Sequence, residues 1–235
     1  MVRKEVLERN PLRVFERAIG GGLGRGNIGV VLSRRGVGKT GFMIGVALDT
    51  LLQGHKVLHI STKEPVERVR EFYDLIFKNL ADDLDLDQRS QRHLEMERNR
   101  HILVYNRKFF SLEKLENSVG FLRDAAGFSP SLVIMDGTPR FEKTEQWEME
   151  GLARLAAQWG VEVWTSSHMH REGQRINEDG IPEEVARFNS WLSVILKLEP
   201  TADRIRLRIL RDRGREDIAD LQMELDPNKM LLRWR

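Results

Sequence analysis

Short apolar segments alternate along most of the chain with longer segments that have helical periodicity. The apolar segments are rich in valine, isoleucine and leucine, which is typical of strands that helices cover on both faces. This alternation predicts an α/β domain in which helices flank a mainly parallel central sheet. The strands are predicted at Ile28–Leu32, Lys56–Ile60, Ile102–Tyr105, Leu132–Met135, Val161–Thr165, Leu192–Leu198, Arg204–Leu210 and Ala219–Leu225, and the helices at Lys39–Gln53, Val66–Leu80, Leu112–Ala125 and Trp147–Trp159. The last three strands follow one another without helices, so we expect antiparallel strands at the C-terminal end of the sheet.

Three segments lie outside this alternation. A short N-terminal segment, Arg3–Ile19, is expected to be helical. Asp82–Arg100 is highly charged and is expected to be a solvated helix or insertion on the surface. His168–Glu184 is polar, contains two glycines and is expected to form a long mobile loop of the kind that often carries function. With 235 residues, the whole chain is predicted to form a single domain.

The composition excludes several classes of protein. The apolar fraction is 40% and the charged fraction is 31%, which suits a globular domain rather than a disordered chain. No apolar run is long enough to span a membrane, the N-terminus has no apolar signal-peptide core, and there is no cysteine for disulfides or thiolate metal sites. The net charge of +2 does not indicate a nucleic-acid-binding protein. We therefore expect a cytoplasmic protein without a membrane partner, whose function has to be inferred from motifs.

The strongest motif is Ser33–Thr40, with the sequence SRRGVGKT, which follows the first predicted strand and opens the first long helix. This strand–loop–helix context is that of a phosphate-binding P-loop. Gly36 and Gly38 allow backbone N–H groups to turn towards phosphate oxygens. Lys39 supplies a positive charge for the β- and γ-phosphates, and the Thr40 hydroxyl suits Mg²⁺. The predicted nucleotide-binding residues are Arg35, Gly36, Val37, Gly38, Lys39, Thr40 and Gly41.

A run of glycines leads into the P-loop strand and carries a family resemblance. The segment from Gly20 to Thr40, GGGLGRGNIGVVLSRRGVGKT, resembles the opening of the KaiC and RadA proteins. The loop itself is similar to that of DnaB-type replicative helicases, which also lacks the first consensus glycine, here replaced by Ser33. The motifs run in order from Gly20 to Leu232. The chain thus resembles the RecA-like P-loop ATPases, and this resemblance implies a RecA-like fold with ATP and Mg²⁺ as cofactors.

The second predicted strand leads to the place where the resemblance puts a catalytic base. In RecA-like ATPases an acid at this strand end polarises the attacking water, and Glu64 is the candidate here. KaiC proteins have two adjacent acids, whereas this chain has Lys63 and Glu64, so a register on Lys63 would leave hydrolysis slow or absent. The alternative role for Glu64 is local, as an acid at the start of a helix beside Pro65.

Two further strands end in residues that the resemblance assigns to the nucleotide. Leu132–Asp136 resembles a Walker B strand, whose aspartate would hold Mg²⁺ opposite Thr40. His168 occupies the place of a helicase glutamine that senses the γ-phosphate, and its imidazole is able to donate or accept one hydrogen bond. The alternatives for His168 are a metal site shared with His170 and a plain polar strand end.

The C-terminal region contains two groups of arginines. Three of them alternate with apolar residues, which indicates a half-buried strand with a solvated basic face; they are Arg204, Arg206 and Arg208. Arg211 and Arg213 resemble the element with which one subunit of KaiC- and DnaB-type rings contacts the γ-phosphate of the next, with Arg211 in the place of a lysine. The resemblance implies a homo-oligomer, as a hexameric ring or a filament, whose active sites are shared between subunits.

Together these assignments predict Mg²⁺-dependent ATP binding and hydrolysis, coupled to a conformational change on DNA or on a protein partner. The catalytic residues are predicted as Glu64, His168, Arg211 and Arg213, and the metal ligands as Thr40 and Asp136. DNA is weakly supported, because acids outnumber bases in the loops 137–145 and 168–184. The alternative function is a KaiC-like regulatory switch with slow or no hydrolysis that acts through protein–protein interaction, which Lys63 and the near-neutral charge favour.

Overall fold

A computed structural model of the chain describes residues 8, 10–169, 173–215 and 222–234. Its strands are β1 Ile28–Ser33, β2 Val57–Ser61, β3 Arg100–Val104, β4 Leu132–Asp136, β5 Glu162–His168, β6 Leu192–Pro200, β7 Ile205–Asp212, β8 Met223–Leu225 and β9 Leu232–Trp234. Its helices are α1 Pro11–Ala18, α2 Lys39–Leu52, α3 Val66–Asp83, α4 Arg89–Asn99, α5 Leu112–Ala126, α6 Gln146–Trp159 and α7 Glu183–Ala186.

The strands form one sheet with the order β3-β2-β4-β5-β1-β6-β7-β8-β9. The strands from β3 to β6 are parallel to their neighbours, and β7, β8 and β9 continue the sheet in antiparallel orientation. Because β2, β4, β5 and β1 are parallel and adjacent, their last residues lie at one end of the sheet; these are Ser61, Asp136, His168 and Ser33. The predicted α/β fold, a mainly parallel sheet with C-terminal antiparallel strands, is confirmed.

Two apolar layers cover the faces of the sheet. One layer joins the sheet to α1, α2, α3 and α4, and the other joins it to α5, α6 and α7. In the first layer the rings of Phe15, Phe42 and Trp164 contact one another, with centroid separations of 5.7 to 6.2 Å. Gly29 provides the space for this cluster, because a Cβ atom there would lie 2.5 Å from the indole of Trp164. The first turn of α2, which follows the P-loop, is thereby fixed to the sheet.

The eight predicted strands correspond to β1–β8, and the four predicted helices to α2, α3, α5 and α6, with shifts at their ends. The part of the last predicted strand at 219–221 lies outside the described residues. The elements β9 and α7 were not predicted. They have only three and four residues, which is too few for a periodic pattern to show.

The segments outside the regular alternation have a definite structure in their described parts. In the N-terminal segment, α1 begins after Asn10, whose side chain accepts a hydrogen bond from the Leu12 N–H. In the charged segment 82–100, α4 is half solvated, but Met96 is only 2% exposed and belongs to the core. In the segment 168–184, residues 170–172, which include His170, lie outside the described residues. Within the described part of the chain, no helix combines the length and apolar character needed to cross a membrane.

Candidate nucleotide-binding site

The loop between β1 and α2 has the backbone of a phosphate cradle. Gly36 and Gly38 have φ angles of 80° and 114°, in the left-handed region that glycine adopts without strain. Gly38 is the N-cap of α2 and has no side chain to cap the first N–H groups of the helix. These donors and the positive end of the helix are the features that bind phosphate at a helix N-terminus.

The Lys39 side chain folds back over its own loop. Its ammonium donates hydrogen bonds to the Ser33 carbonyl at 2.9 Å, the Ser33 hydroxyl at 3.0 Å and the Arg34 carbonyl at 3.0 Å. Burial, and to a smaller extent the neighbouring Lys63, lower the pKa of Lys39 to about 8, although the Asp136 carboxylate opposes this shift. Ser33, the departure from the P-loop consensus, therefore supplies two of the acceptors that hold the lysine.

Asp136 at the end of β4 joins the P-loop to β2. Its Oδ2 atom accepts a hydrogen bond from the Thr40 hydroxyl at 2.8 Å, and its Oδ1 atom lies 2.8 Å from the Lys63 ammonium. The Ser166 hydroxyl on β5 donates to Oδ1 at 3.4 Å. Burial of Asp136 favours its neutral form, but Lys63 and Thr40 outweigh burial and lower the pKa of the carboxyl. The carboxylate is therefore ionised and next to the Thr40 hydroxyl, as a shared Mg²⁺ site requires.

The residues after β2 have different surroundings, which bears on the open register of Lys63 and Glu64. The Lys63 side chain points to Asp136, and a Cβ atom on Gly137 would lie 2.6 Å from the Lys63 Cγ atom. Gly137 therefore makes room for the lysine. Glu64 is half-buried, its N–H donates to the Ser61 hydroxyl at 2.9 Å, and its carboxylate has no hydrogen bond or ion pair with the described residues. At this end of the sheet, the side chain that contacts the Walker B aspartate is a base rather than an acid.

His168 lies at the end of β5, directly opposite Ser33 in the strand register. Burial, followed by the positive charges of Lys39 and Lys63, lowers the pKa of His168 to about 4. The imidazole is therefore neutral near pH 7 and able to donate one hydrogen bond and accept another. A metal site shared with His170 stays untested, because His170 lies outside the described residues.

The other predicted phosphate-binding residues have mixed roles in the fold. Arg35 is exposed on the loop, and Val37 packs against the core. Gly41 lies in the first turn of α2, where a Cβ atom would be 3.0 Å from the Met230 sulfur. Gly41 is thus also a packing residue, because only a hydrogen fits between α2 and the segment before β9.

Arg211 and Arg213 lie at the other end of the sheet from the P-loop. Leu192 pairs with Ile28, the first residue of β1, and the five steps from Ile28 to Ser33 span about 16 Å. The Arg213 guanidinium donates hydrogen bonds to the carbonyls of Ile19, Gly22 and Leu23 at 2.6, 2.5 and 2.6 Å, and it pairs with Asp212. Arg211 donates from Nε to the Leu192 carbonyl at 3.2 Å. Neither arginine contacts the P-loop of its own chain.

The structure thus brings together part of the predicted site. Lys39, Thr40, Asp136 and His168 share one end of the sheet, and the two arginines do not join them within one chain. Sequence reasoning missed Ser166, a small hydroxyl residue two positions before the end of β5. It also treated Lys63 only as a missing acid, although a cation next to a Walker B strand was a signal for an ion pair with Asp136.

Comparisons with known proteins agree with this fold. No protein-family model matches the chain, and no curated protein sequence matches it. Among solved structures, the chain is similar to the ATPase domain of a DnaB-type helicase, with a TM-score of 0.71 and 13% sequence identity. The match covers 94% of this chain and 89% of that structure. The chain therefore has the fold of a RecA-like ATPase domain, with a P-loop at the position where that fold binds nucleotide.

Proposed function

We propose that this chain is a RecA-like ATPase that binds ATP with Mg²⁺ and hydrolyses it slowly, in an oligomer, to drive a conformational change. The observation that carries the proposal is the 2.8 Å hydrogen bond between the Thr40 hydroxyl and Asp136, beside the Lys39 ammonium. A hydroxyl and a carboxylate in contact are the oxygen ligands that Mg²⁺ prefers, and the lysine lies where phosphates meet the helix N-terminus.

The residues have separate roles in this proposal. Backbone N–H groups of residues 35–41 and the Lys39 ammonium bind the phosphates, and Lys39 exchanges three neutral acceptors for charged ones. Thr40 and Asp136 hold Mg²⁺, which neutralises charge on the phosphates when it is bound. Neutral His168 hydrogen-bonds to the γ-phosphate or to the water beside it. Glu64 accepts the proton of the attacking water.

Slow turnover is proposed because of Lys63. Its ammonium pairs with the carboxylate that Mg²⁺ needs, and it occupies one of the two positions at which related ATPases have acids. Binding of Mg²⁺ therefore requires this ion pair to open. The same observation favours the second candidate function, a nucleotide-dependent switch that binds ATP, turns over little or not at all, and acts through a protein partner.

The oligomer is proposed from the position of the two arginines. Since Arg211 and Arg213 lie about 16 Å along β1 from the P-loop, a phosphate role for them needs the site of another copy. For Arg213 it also needs release from the carbonyls of Ile19, Gly22 and Leu23. A hexameric ring or a filament would supply such a neighbour, and DNA or a protein would be its partner.

The test is ATP binding and hydrolysis with Mg²⁺ over a range of protein concentrations, with and without single-stranded DNA. Lys39→Ala should abolish both, and Glu64→Gln should leave binding intact but remove hydrolysis. Lys78→Ala and Glu67→Gln, exposed positions on α3, are the matched controls. Turnover that rises with protein concentration supports the shared site, and a response to DNA identifies that partner. Tight binding with little turnover that Glu64→Gln does not change would replace the ATPase by the switch. Absence of ATP binding would overturn both.

A further inference from the structure

A cavity of about 500 Å³ lies beside the nucleotide site, beyond the end of β4. Its walls come from the residues after β3, from the segment after β4, and from the first turns of α5 and α6. Thr62 and Gly137 line it on the side where Lys63 contacts Asp136. Neither Lys39 nor Thr40 belongs to its lining, so this cavity is separate from the phosphate cradle.

The base of the cavity is apolar and fixed in place. Met135, Met149 and Leu152 line it and are each no more than 3% exposed. The wall after β4 is held from outside, because Arg187 donates hydrogen bonds to the carbonyls of Phe141 and Thr144 at 2.7 and 2.6 Å. The cavity is therefore part of the folded structure and does not depend on a ligand to form it.

The mouth of the cavity is positively charged. Arg107, Lys108 and Lys143 line it, are exposed, and have no acidic partner among the described residues. Arg140 also lines it but is neutralised by Glu142 at 2.5 Å. The one acid in the described lining, Glu148, accepts a hydrogen bond from the Glu145 N–H. Three such cations at the rim of an apolar cavity predict a ligand with a negative charge at one end.

We propose that this cavity binds a small organic anion that has an aromatic or other apolar body. The body would lie on Met135, Met149 and Leu152, and a carboxylate, sulfonate or phosphate group would face Arg107 and Lys143. The volume is in the range of about 300–1,000 Å³ that is usual for small-molecule sites. A walled cavity of this size favours a small molecule over a nucleic-acid strand, which would need a continuous track.

The experiment uses two fluorescent probes of similar shape and different charge. Anilinonaphthalene sulfonate carries one negative charge on two aromatic groups, and N-phenylnaphthylamine has the same kind of body without the charge. Both are titrated into the full chain without nucleotide, so the result does not depend on the proposed ATPase. We expect saturable binding of the anionic probe at one site per chain.

The variants separate the charged mouth from the apolar base. Arg107→Gln with Lys143→Gln should weaken the anionic probe about tenfold or more and leave the neutral probe unchanged. Leu152→Phe fills the cavity and should weaken both probes. If Leu152→Phe does not fold, Leu112→Trp fills the cavity from a half-exposed position of its lining. Arg123→Gln, an exposed cation at the far end of α5, is the matched control and should change neither probe.

Three results would overturn the proposal. The first is that the wild-type chain does not bind the anionic probe. The second is that the probe binds equally well to the charge variant and to the cavity-filling variant, which would place it elsewhere. The third is that a short single-stranded oligonucleotide binds through Arg107 and Lys143 while the small anion does not, which would make this surface a nucleic-acid track.

Discussion

Two cations bind backbone carbonyls at opposite ends of β1, and they differ in what else holds them. Lys39 donates to two carbonyls and one hydroxyl, all of which are neutral. Arg213 donates to three carbonyls and also pairs with Asp212, whose side chain is only 2% exposed. A triphosphate offers Lys39 charged acceptors in place of neutral ones, so its present partners are exchangeable. Arg213 already has a carboxylate, so its present contacts are expected to persist.

The comparison teaches that a cation near a backbone turn has a ligand role or a structural role according to its existing partners. Lys39 lies beside the uncapped N-terminus of α2 and beside Asp136, where charge can be rearranged. Arg213 ties the glycine-rich segment before β1 to the end of β7, over a sequence distance of about 190 residues. The glycine run, which resembles a family marker in the sequence, is in this structure the acceptor of an arginine.

Replacement of Lys39 should give the largest change in ligand binding. Lys39→Ala removes the ammonium that meets the β- and γ-phosphates, and loss of charge-assisted hydrogen bonds worth about 3 kcal/mol in total corresponds to at least about 100-fold in ATP affinity. The measurement is isothermal titration calorimetry with ATP and Mg²⁺. The free energy of unfolding without nucleotide should change little, because the lost partners of Lys39 are neutral carbonyls and a hydroxyl. ATP affinity within about threefold of wild type would contradict the exchangeable role of Lys39.

Replacement of Arg213 should have the reverse profile. Arg213→Ala leaves the carbonyls of Ile19, Gly22 and Leu23 without this donor, and the free energy of unfolding should fall by about 2 kcal/mol. ATP binding by the folded chain should be unchanged. Urea unfolding measures the effect, with Arg211→Ala, which loses a single hydrogen bond to Leu192, as the matched control. Equal losses in the two variants would remove the structural distinction between these arginines.

The sequence was sufficient for the parallel sheet and for the residues at its strand ends. Each of those strands is a continuous apolar run followed by a polar residue, and Lys39 and Thr40 belong to a local motif. The contacts that join distant segments could not be predicted, because they depend on strand order. Lys63 reaches Asp136, 73 residues away, only because β2 and β4 are neighbours in the sheet. The cavity beside them is likewise built from segments that no local pattern connects.

Removal of the Lys63 charge should sharpen the difference between the two ends of β1, because it tests whether the P-loop end can rearrange. Lys63→Met keeps most of the side-chain volume and leaves the Asp136 carboxylate without its ammonium partner. Mg²⁺ would then not compete with the lysine, and its affinity in the presence of ATP should rise by about tenfold, or about 1.4 kcal/mol. Titration with Mn²⁺, followed by electron paramagnetic resonance, measures this directly. Lys78→Met is the control, and an unchanged affinity for Mn²⁺ in Lys63→Met would show that the ion pair does not compete with the metal.

The smallest expected effect is the pH dependence contributed by His168. Its pKa in the folded chain is lowered to about 4 from an ordinary value of 6.5, first by burial and then by Lys39 and Lys63. Below pH 6.5 the unfolded chain takes up a proton that the folded chain does not, so stability falls from about pH 6.5 to pH 4 and this contribution is constant below that. His168→Gln should flatten that part of the stability profile and leave the profile above pH 7 unchanged. The buried His59, whose pKa is lowered to about 4 mainly by burial, contributes in the same range and stays in both proteins, so the difference between the two urea-unfolding profiles isolates His168. A difference that is the same at pH 7.5 and pH 4.5 would show that His168 is not held neutral by the lysines of the P-loop end.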